Sequence, residues 1–151
     1  GVDIVKVGIF SSEISDEVLS VIKKINTSGI KIVLVFFADL EVKFNNINKL
    51  SGSGIKGIML DTANKERGSL RTILSDKQLI HFVDQMCSAG LMTGLAGSLQ
   101  ISDIEYLLAM DPDYLGFRGA LCHRSERTAI IDEMAVRRIR AMIPKKNMMN
   151  V

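Results

Sequence analysis

The chain has 151 residues, 47% hydrophobic and 24% charged, which suits one globular domain with a substantial core and excludes a disordered segment. Nineteen basic against seventeen acidic residues give a net charge of +2, too little to argue for a nucleic-acid partner. No apolar run reaches the length of a membrane span, there is no signal-peptide pattern, and two cysteines make no disulfide framework, so a reduced cytoplasmic setting is expected.

In chain order, the apolar run Ile4 to Phe10 predicts a first strand, and Val18, Ile22 and Ile25 mark a helix closed by Ser28-Gly29. Lys31 to Ala38 and Lys56 to Leu60 predict the second and third strands. Ser75-x-x-Gln78 has the form of a capping box, in which side chains satisfy the first free amides of a helix. After it, Leu79, Phe82, Val83, Met86 and Cys87 share one face of a helix over Asp76 to Ser88, closed by Gly90. Cys87 is thereby expected to be a reduced core thiol, and His81, beside that stripe, a surface or partly packed residue. Leu91 to Ala96 predicts a fourth strand, Ser102-x-x-Glu105 a second capping box, and Tyr114 to Phe117 a fifth strand. Arg137, Arg138, Arg140, Lys145 and Lys146 read as a solvated last helix with favourable end charge, and residues 144–151 as a loose tail.

Five β-α repeats without a composition break, and strands that are continuously apolar, predict an α/β fold whose parallel sheet is covered on both faces. Two architectures fit: an open doubly wound sheet, or part of an eight-stranded β/α barrel. A start at Gly1, running almost at once into a strand, suggests a cut through a larger protein.

Parallel strands put their carboxyl ends on one side, so residues there converge whatever their separation in sequence. The collected set is Lys6, Asp39, Asp61, Lys65, Gly97-Ser98 and Arg118-Gly119. Asp61 and Lys65, just past Ile58-Met59-Leu60, are an acid and an amine suited to proton transfer at a carbonyl. Lys6 lies in the otherwise apolar Val5-Lys-Val7. Burial there would lower its pKa and make it a base or imine-forming amine; the other reading is an edge-strand lysine that blocks aggregation. Asp39, ending Val33 to Ala38, is a candidate for the site, though an acid in that place is more often the N-cap of the next helix. The small residues of Gly94-Leu-Ala-Gly-Ser98 and Gly116-Phe-Arg-Gly119 let backbone amides approach an anion, and Arg118 adds a forked contact to phosphate. Cys122 and His123 alone are too few ligands for a metal, so no metal and no cofactor are expected.

Val5-Lys6-Val7-Gly8, Leu60-Asp61-Thr62-Ala63-x-Lys65, Leu95-Ala96-Gly97-Ser98 and Arg118-Gly119-Ala120-x-Cys122 occur in this order in (5-formylfuran-3-yl)methyl phosphate synthases, and the chain resembles that family from Gly1 to about Ile143. The resemblance implies a β/α barrel of the TIM type, present as the last five units with residues 1–143 as the C-terminal part of that single domain, and a carbon–oxygen lyase of methanofuran biosynthesis. It would join two molecules of glyceraldehyde 3-phosphate through a lysine imine and aldol-type bond formation. Lys6 matches the family's proton acceptor, Asp61 and Lys65 its acid–amine pair, and Ser98 and Arg118 with Gly97 and Gly119 would hold phosphate. The family's imine-forming lysine belongs to a strand ahead of these units, so the resemblance also implies a missing N-terminal portion. Association with that portion, or with further copies of the chain, is expected, and a nucleic-acid or membrane partner is not. Two other readings stand beside it: a catalytically silent, self-associating barrel fragment, and a five-stranded receiver-like signalling domain.

Overall fold

A computed structural model describes residues 2–26, 29–40, 42 and 47–144 and shows five parallel strands joined by helices. The strands are β1 (Ile4–Ile9), β2 (Lys31–Phe37), β3 (Gly57–Asp61), β4 (Met92–Leu95) and β5 (Tyr114–Leu115). The helices are α1 (Asp16–Asn26), α2 (Ile47–Ser51), α3 (Leu70–Ile73), α4 (Asp76–Ser88), α5 (Ile104–Leu108) and α6 (Glu133–Met142). Every expected strand is present. β3 runs one residue further than its apolar run, so Asp61 ends the strand rather than following it. Ser28, Lys145, Lys146 and the expected tail beyond Pro144 lie outside the described residues.

The strands pair in the order β1-β2-β3-β4-β5, all parallel. A doubly wound sheet needs a reversal of strand order, and a receiver domain has the order 2-1-3-4-5. Neither is found, so both of those expectations fall. When each strand joins on the same side of the last, crossovers of one hand leave the helices on one face.

The core is distributed accordingly. Ile32, Leu34 and Phe36 of β2, Ile58 and Leu60 of β3 and Leu95 of β4 pack with Leu19 and Ile22 of α1 and Leu79, Phe82, Val83 and Met86 of α4 in one large cluster. The alternate strand residues Val33, Val35 and Met59 form a small second cluster with Ala96 just beyond β4 and with Ile4, Phe37 and Tyr114, to which no helix contributes. The expected covering of both faces is therefore corrected: among the described residues the helical layer lies on one face only.

The bare face is concave. Lys6 on β1 and Tyr114 on β5 stand four strand spacings apart, roughly 19 Å in a flat sheet, a gap the two side chains do not span. Yet the Lys6 ammonium lies 4.9 Å from the Tyr114 ring centroid. Only a strongly curled sheet brings them together. Gly94 makes room for the ring, since a Cβ at that position would stand 2.3 Å from its Cζ.

Local signals explain the helix limits. Ser75 and Gln78 form the expected capping box of α4, and Gly90 takes the left-handed φ of 71° just beyond its end. The buried stripe of α4 stops at Met86, and Cys87 is exposed, which corrects its assignment to the core. Ser102 does not cap α5 as expected. The chain turns earlier, where Asp103 Oδ2 accepts the Gln100 amide at 2.8 Å, and a 3-10 turn over Ile101–Asp103 leads into the helix. On α6, Asp132 caps the start through the amides of Met134 and Ala135, and Arg137, Arg138 and Arg140 are exposed as expected.

Candidate active site

β3 ends in the acid–amine pair. Lys65 Nζ donates to Asp61 Oδ1 at 2.7 Å, to Thr62 Oγ1 at 2.9 Å and to the Thr62 carbonyl oxygen. The Thr62 amide also donates to Asp61 Oδ1, at 2.6 Å. Local sequence enforces this geometry. Asn64, not Asp61, caps the 3-10 turn Lys65–Arg67 by accepting the Glu66 amide, so Asp61 is released from a capping role. The turn folds Lys65 back over Thr62, which is fully buried, while both members of the pair stay partly exposed. Asp61 Oδ2 has no partner among the described residues, so the carboxylate is anchored through one oxygen and open through the other.

β4 and β5 supply the opposite wall. Gly97 takes φ 110°, and a Cβ there would lie 2.8 Å from Thr62 Cγ2. Its small size thus serves close packing of this loop on the β3 loop, and its carbonyl accepts the Leu70 amide at 2.9 Å to tie the two together. Ser98 follows at φ 50°, in the left-handed region that non-glycine residues seldom adopt outside special sites. Arg118, exposed beyond the end of β5, leads into a 3-10 turn, Gly119–Leu121.

These groups share one pocket of about 430 Å³, within the range of small-molecule sites. Lys6 lines it from β1, Met59 and Asp61 from β3, Lys65 from the loop beyond, Ala96 to Gln100 from the end of β4, and Gly116 to Gly119 from the end of β5. Seven of the eight residues singled out from sequence therefore meet: Lys6, Asp61, Lys65, Gly97, Ser98, Arg118 and Gly119. Asp39 does not line it. Its two carboxylate oxygens accept the Ala63 and Asn64 amides, each at 2.7 Å, so it grips the loop that carries the acid–amine pair. Burial pushes its pKa up, but the Asn64 and Ala63 amides, its own amide and the Arg67 guanidinium together hold it below the ordinary value.

Of the two readings left open for Lys6, the described residues favour the edge-strand one. Its side chain is exposed on an edge strand, as the alternative reading had it, yet it lies over Tyr114 and borders the pocket. The aromatic face attracts the ammonium and gives it a seat. Tyr114 was not singled out from sequence. Its hydroxyl is buried without a hydrogen-bond partner among the described residues, and burial, with the Asp113 carboxylate adding to it, pushes the phenol up to about 12. Ser125 and Arg127, from the loop between the Gly119–Leu121 turn and α6, also line the pocket and were not anticipated. Their signal was weak: two arginines and a serine in a stretch with no periodicity.

His81 and His123 are both exposed and neither lines the pocket. Cys122 is buried, its thiol donating to the Arg118 carbonyl at 3.3 Å. Among the described residues no helix is long and apolar enough to cross a membrane.

Among the described residues the cavity carries four cationic side chains, Lys6, Lys65, Arg118 and Arg127, against the single carboxylate of Asp61. Fold and site together define an α/β protein with an anion-attracting pocket at the carboxyl ends of a parallel sheet. Comparison with known proteins carries this further. The model of the 4-HFC-P synthase family matches residues 1–140, and the chain belongs to that family. A (5-formylfuran-3-yl)methyl phosphate synthase of Methanosarcina mazei is 30% identical over 147 residues, 89% of this chain and 62% of the relative. One of Methanococcus aeolicus is 32% identical over 139 residues, 84% of this chain and 59% of the relative. A Methylorubrum extorquens relative is 41% identical over 102 residues, 68% of this chain and 43% of that protein. The chain thus spans less than two thirds of the length of these relatives.

Proposed function

We propose that the protein containing this chain is a lyase that condenses two molecules of glyceraldehyde 3-phosphate into (5-formylfuran-3-yl)methyl phosphate, the furan precursor of methanofuran. The reaction joins the two carbon chains, closes the furan ring and releases one phosphate together with water. The observation that carries this reading is the meeting of Lys6, Asp61, Lys65, Ser98 and Arg118 in one pocket. The names of the relatives support it.

In this reading the imine-forming lysine comes from a part of the protein outside these 151 residues, and further strands close the curled sheet into a β/α barrel. The sequential strand order and the one-sided helical layer are what such closure needs. Asp61 and Lys65 exchange protons with the carbonyl and hydroxyl groups of the substrate, Asp61 through its open oxygen. Lys6, seated on Tyr114, accepts the proton released when the carbon nucleophile forms. The amides of Gly97-Ser98 and the Arg118-Gly119 turn take phosphate. Asp39 acts as a positioning residue, holding the loop on which the pair is mounted. The protein works in the cytoplasm without a metal or cofactor, and assembles through its sheet edges with the remaining portion or with further copies.

Incubating the complete protein with glyceraldehyde 3-phosphate, with and without borohydride, tests the reading. The expected result is a lysine carrying one reduced triose phosphate in the trapped sample, and furan aldehyde plus inorganic phosphate in the untrapped one. Absence of both products and of any lysine adduct overturns it and leaves the silent, self-associating fragment as the account.

A further inference from the structure

Arg127 reaches the pocket on a loop that owes nothing to the β-strands. The loop is closed at its base by an antiparallel bridge between Cys122 and Ile131, by the His123 amide on the Ile130 carbonyl at 3.0 Å and by the Asp132 amide on the Leu121 carbonyl at 2.8 Å. Within it Arg124 and Ser125 take left-handed φ values of 53° and 60°, which turns the chain back toward Gly119. A Cβ on Gly119 would stand 3.3 Å from Arg127 Cγ and 3.4 Å from the Ser125 carbonyl oxygen. The aliphatic stem of Arg127 therefore lies against the residue that follows Arg118, and both arginines border the same cavity.

Charge makes this arrangement informative. Lys65 is matched by Asp61 at 2.7 Å, but among the described residues neither Arg118 nor Arg127 has an ion pair or a side-chain hydrogen bond. Arg127 thus adds a second guanidinium to the cavity wall that carries Arg118, and Asp61, the one carboxylate that lines the cavity among the described residues, is already paired with Lys65. A bound dianion would match the two arginines. The planar fork of arginine matches the oxygens of a phosphoryl group in a way that a lysine ammonium does not.

We infer that Arg127 is a specificity-determining ligand for the phosphoryl group of a phosphate monoester, acting with Arg118 across Gly119. The inference rests on the proposed reading that the pocket takes phosphorylated carbonyl compounds, but its test does not need the condensation to occur. The loop from Cys122 to Ile131 then acts as a clamp over the phosphate end of the substrate, apart from the acid–amine pair that faces the carbonyl end.

Calorimetric titration of the complete protein with glycerol 3-phosphate, which has the phosphate but no carbonyl, and separately with inorganic phosphate, tests this. Arg127→Gln is expected to raise the dissociation constant for both at least tenfold, and Arg127→Lys to give an intermediate loss because it keeps charge and discards the fork. Arg124→Gln removes the same charge from the same loop at an exposed residue outside the cavity, and is expected to leave both constants within about twofold. The inference is overturned if the parent protein binds neither phosphate compound, if Arg127→Gln binds glycerol 3-phosphate like the parent, or if Arg124→Gln weakens binding as much as Arg127→Gln does, since that pattern reports only a diffuse positive field. Failure to form a furan product from glyceraldehyde 3-phosphate, with these affinities as expected, instead sinks the proposed reaction and leaves the phosphate clamp standing.

Discussion

On the helix-covered face of the sheet, Leu34, Ile58, Leu60 and Leu95 are each no more than 2% exposed and merge with four helical residues of α4 into one core. The residues alternating with them on the concave face include Lys6, Gly57, Asp61, Gly94 and Tyr114, and the apolar cluster there has only four buried members. One set of strands thus serves two purposes because side chains alternate between faces. Stability is drawn chiefly from the convex side. The concave side gives up packing for glycines, an unpartnered phenol and charged groups, which is where a ligand can be held.

That contrast is sharpest at Leu34. Truncation by Leu34→Ala should cost about 2–5 kcal/mol of stability, read as a lowered denaturant midpoint, while affinity for inorganic phosphate stays at the parent value. A loss of affinity in a variant that is still folded would mean the two faces are not separable. Gly94→Ala adds a methyl where the Tyr114 ring already stands, and should cost about 1–3 kcal/mol. Unlike Leu34→Ala it should also perturb the Lys6 side-chain resonances in a spectrum of labelled lysines, because it displaces the seat of the ammonium. Unchanged Lys6 signals would separate that side chain from Tyr114.

The smallest effect concerns Tyr114 itself. Its native phenol is raised to about 12 by burial and by Asp113, whereas the unfolded chain titrates near the ordinary value of 10. The native state therefore holds its proton more tightly. This contribution to stability is fully present below pH 10 and is lost as pH rises toward 12. In an absorbance titration the parent should show a late phenolate step that Tyr114→Phe abolishes. A parent titration with no late step contradicts the burial of the hydroxyl.

How much of this was legible beforehand follows from the physics of each signal. The five strands could be read because buried parallel strands are continuously apolar, and α4 because a capping box and a glycine bracket it. Ser102 misled because its pattern has the right letters while Asp103, three residues after Gln100, makes the bond. Cys87 misled because a stripe continued by one more turn runs off the buried face. The strand-end rule gathered Lys6, Asp61, Lys65, Ser98 and Arg118 without any knowledge of strand order. It also gathered Asp39, whose strand end lies beside the pocket but turns its carboxylate to the neighbouring loop. Tyr114 and Arg127 escaped it for opposite reasons. Tyr114 looked like an ordinary strand aromatic until the curl of the sheet brought Lys6 over it, and Arg127 sits in a loop whose course no local pattern sets.

The proposed function requires that the concave strand ends serve carbonyl chemistry on a phosphate-held substrate while contributing little to the fold. Formation of furan aldehyde from glyceraldehyde 3-phosphate by the complete protein and its Asp61→Asn variant, with the unfolding midpoint of each, tests it most directly. Turnover should fall by about 100-fold to 10,000-fold, the range for a lost general acid or base, with the midpoint close to that of the parent. Parental turnover in the variant, or a midpoint that collapses along with activity, would contradict the account.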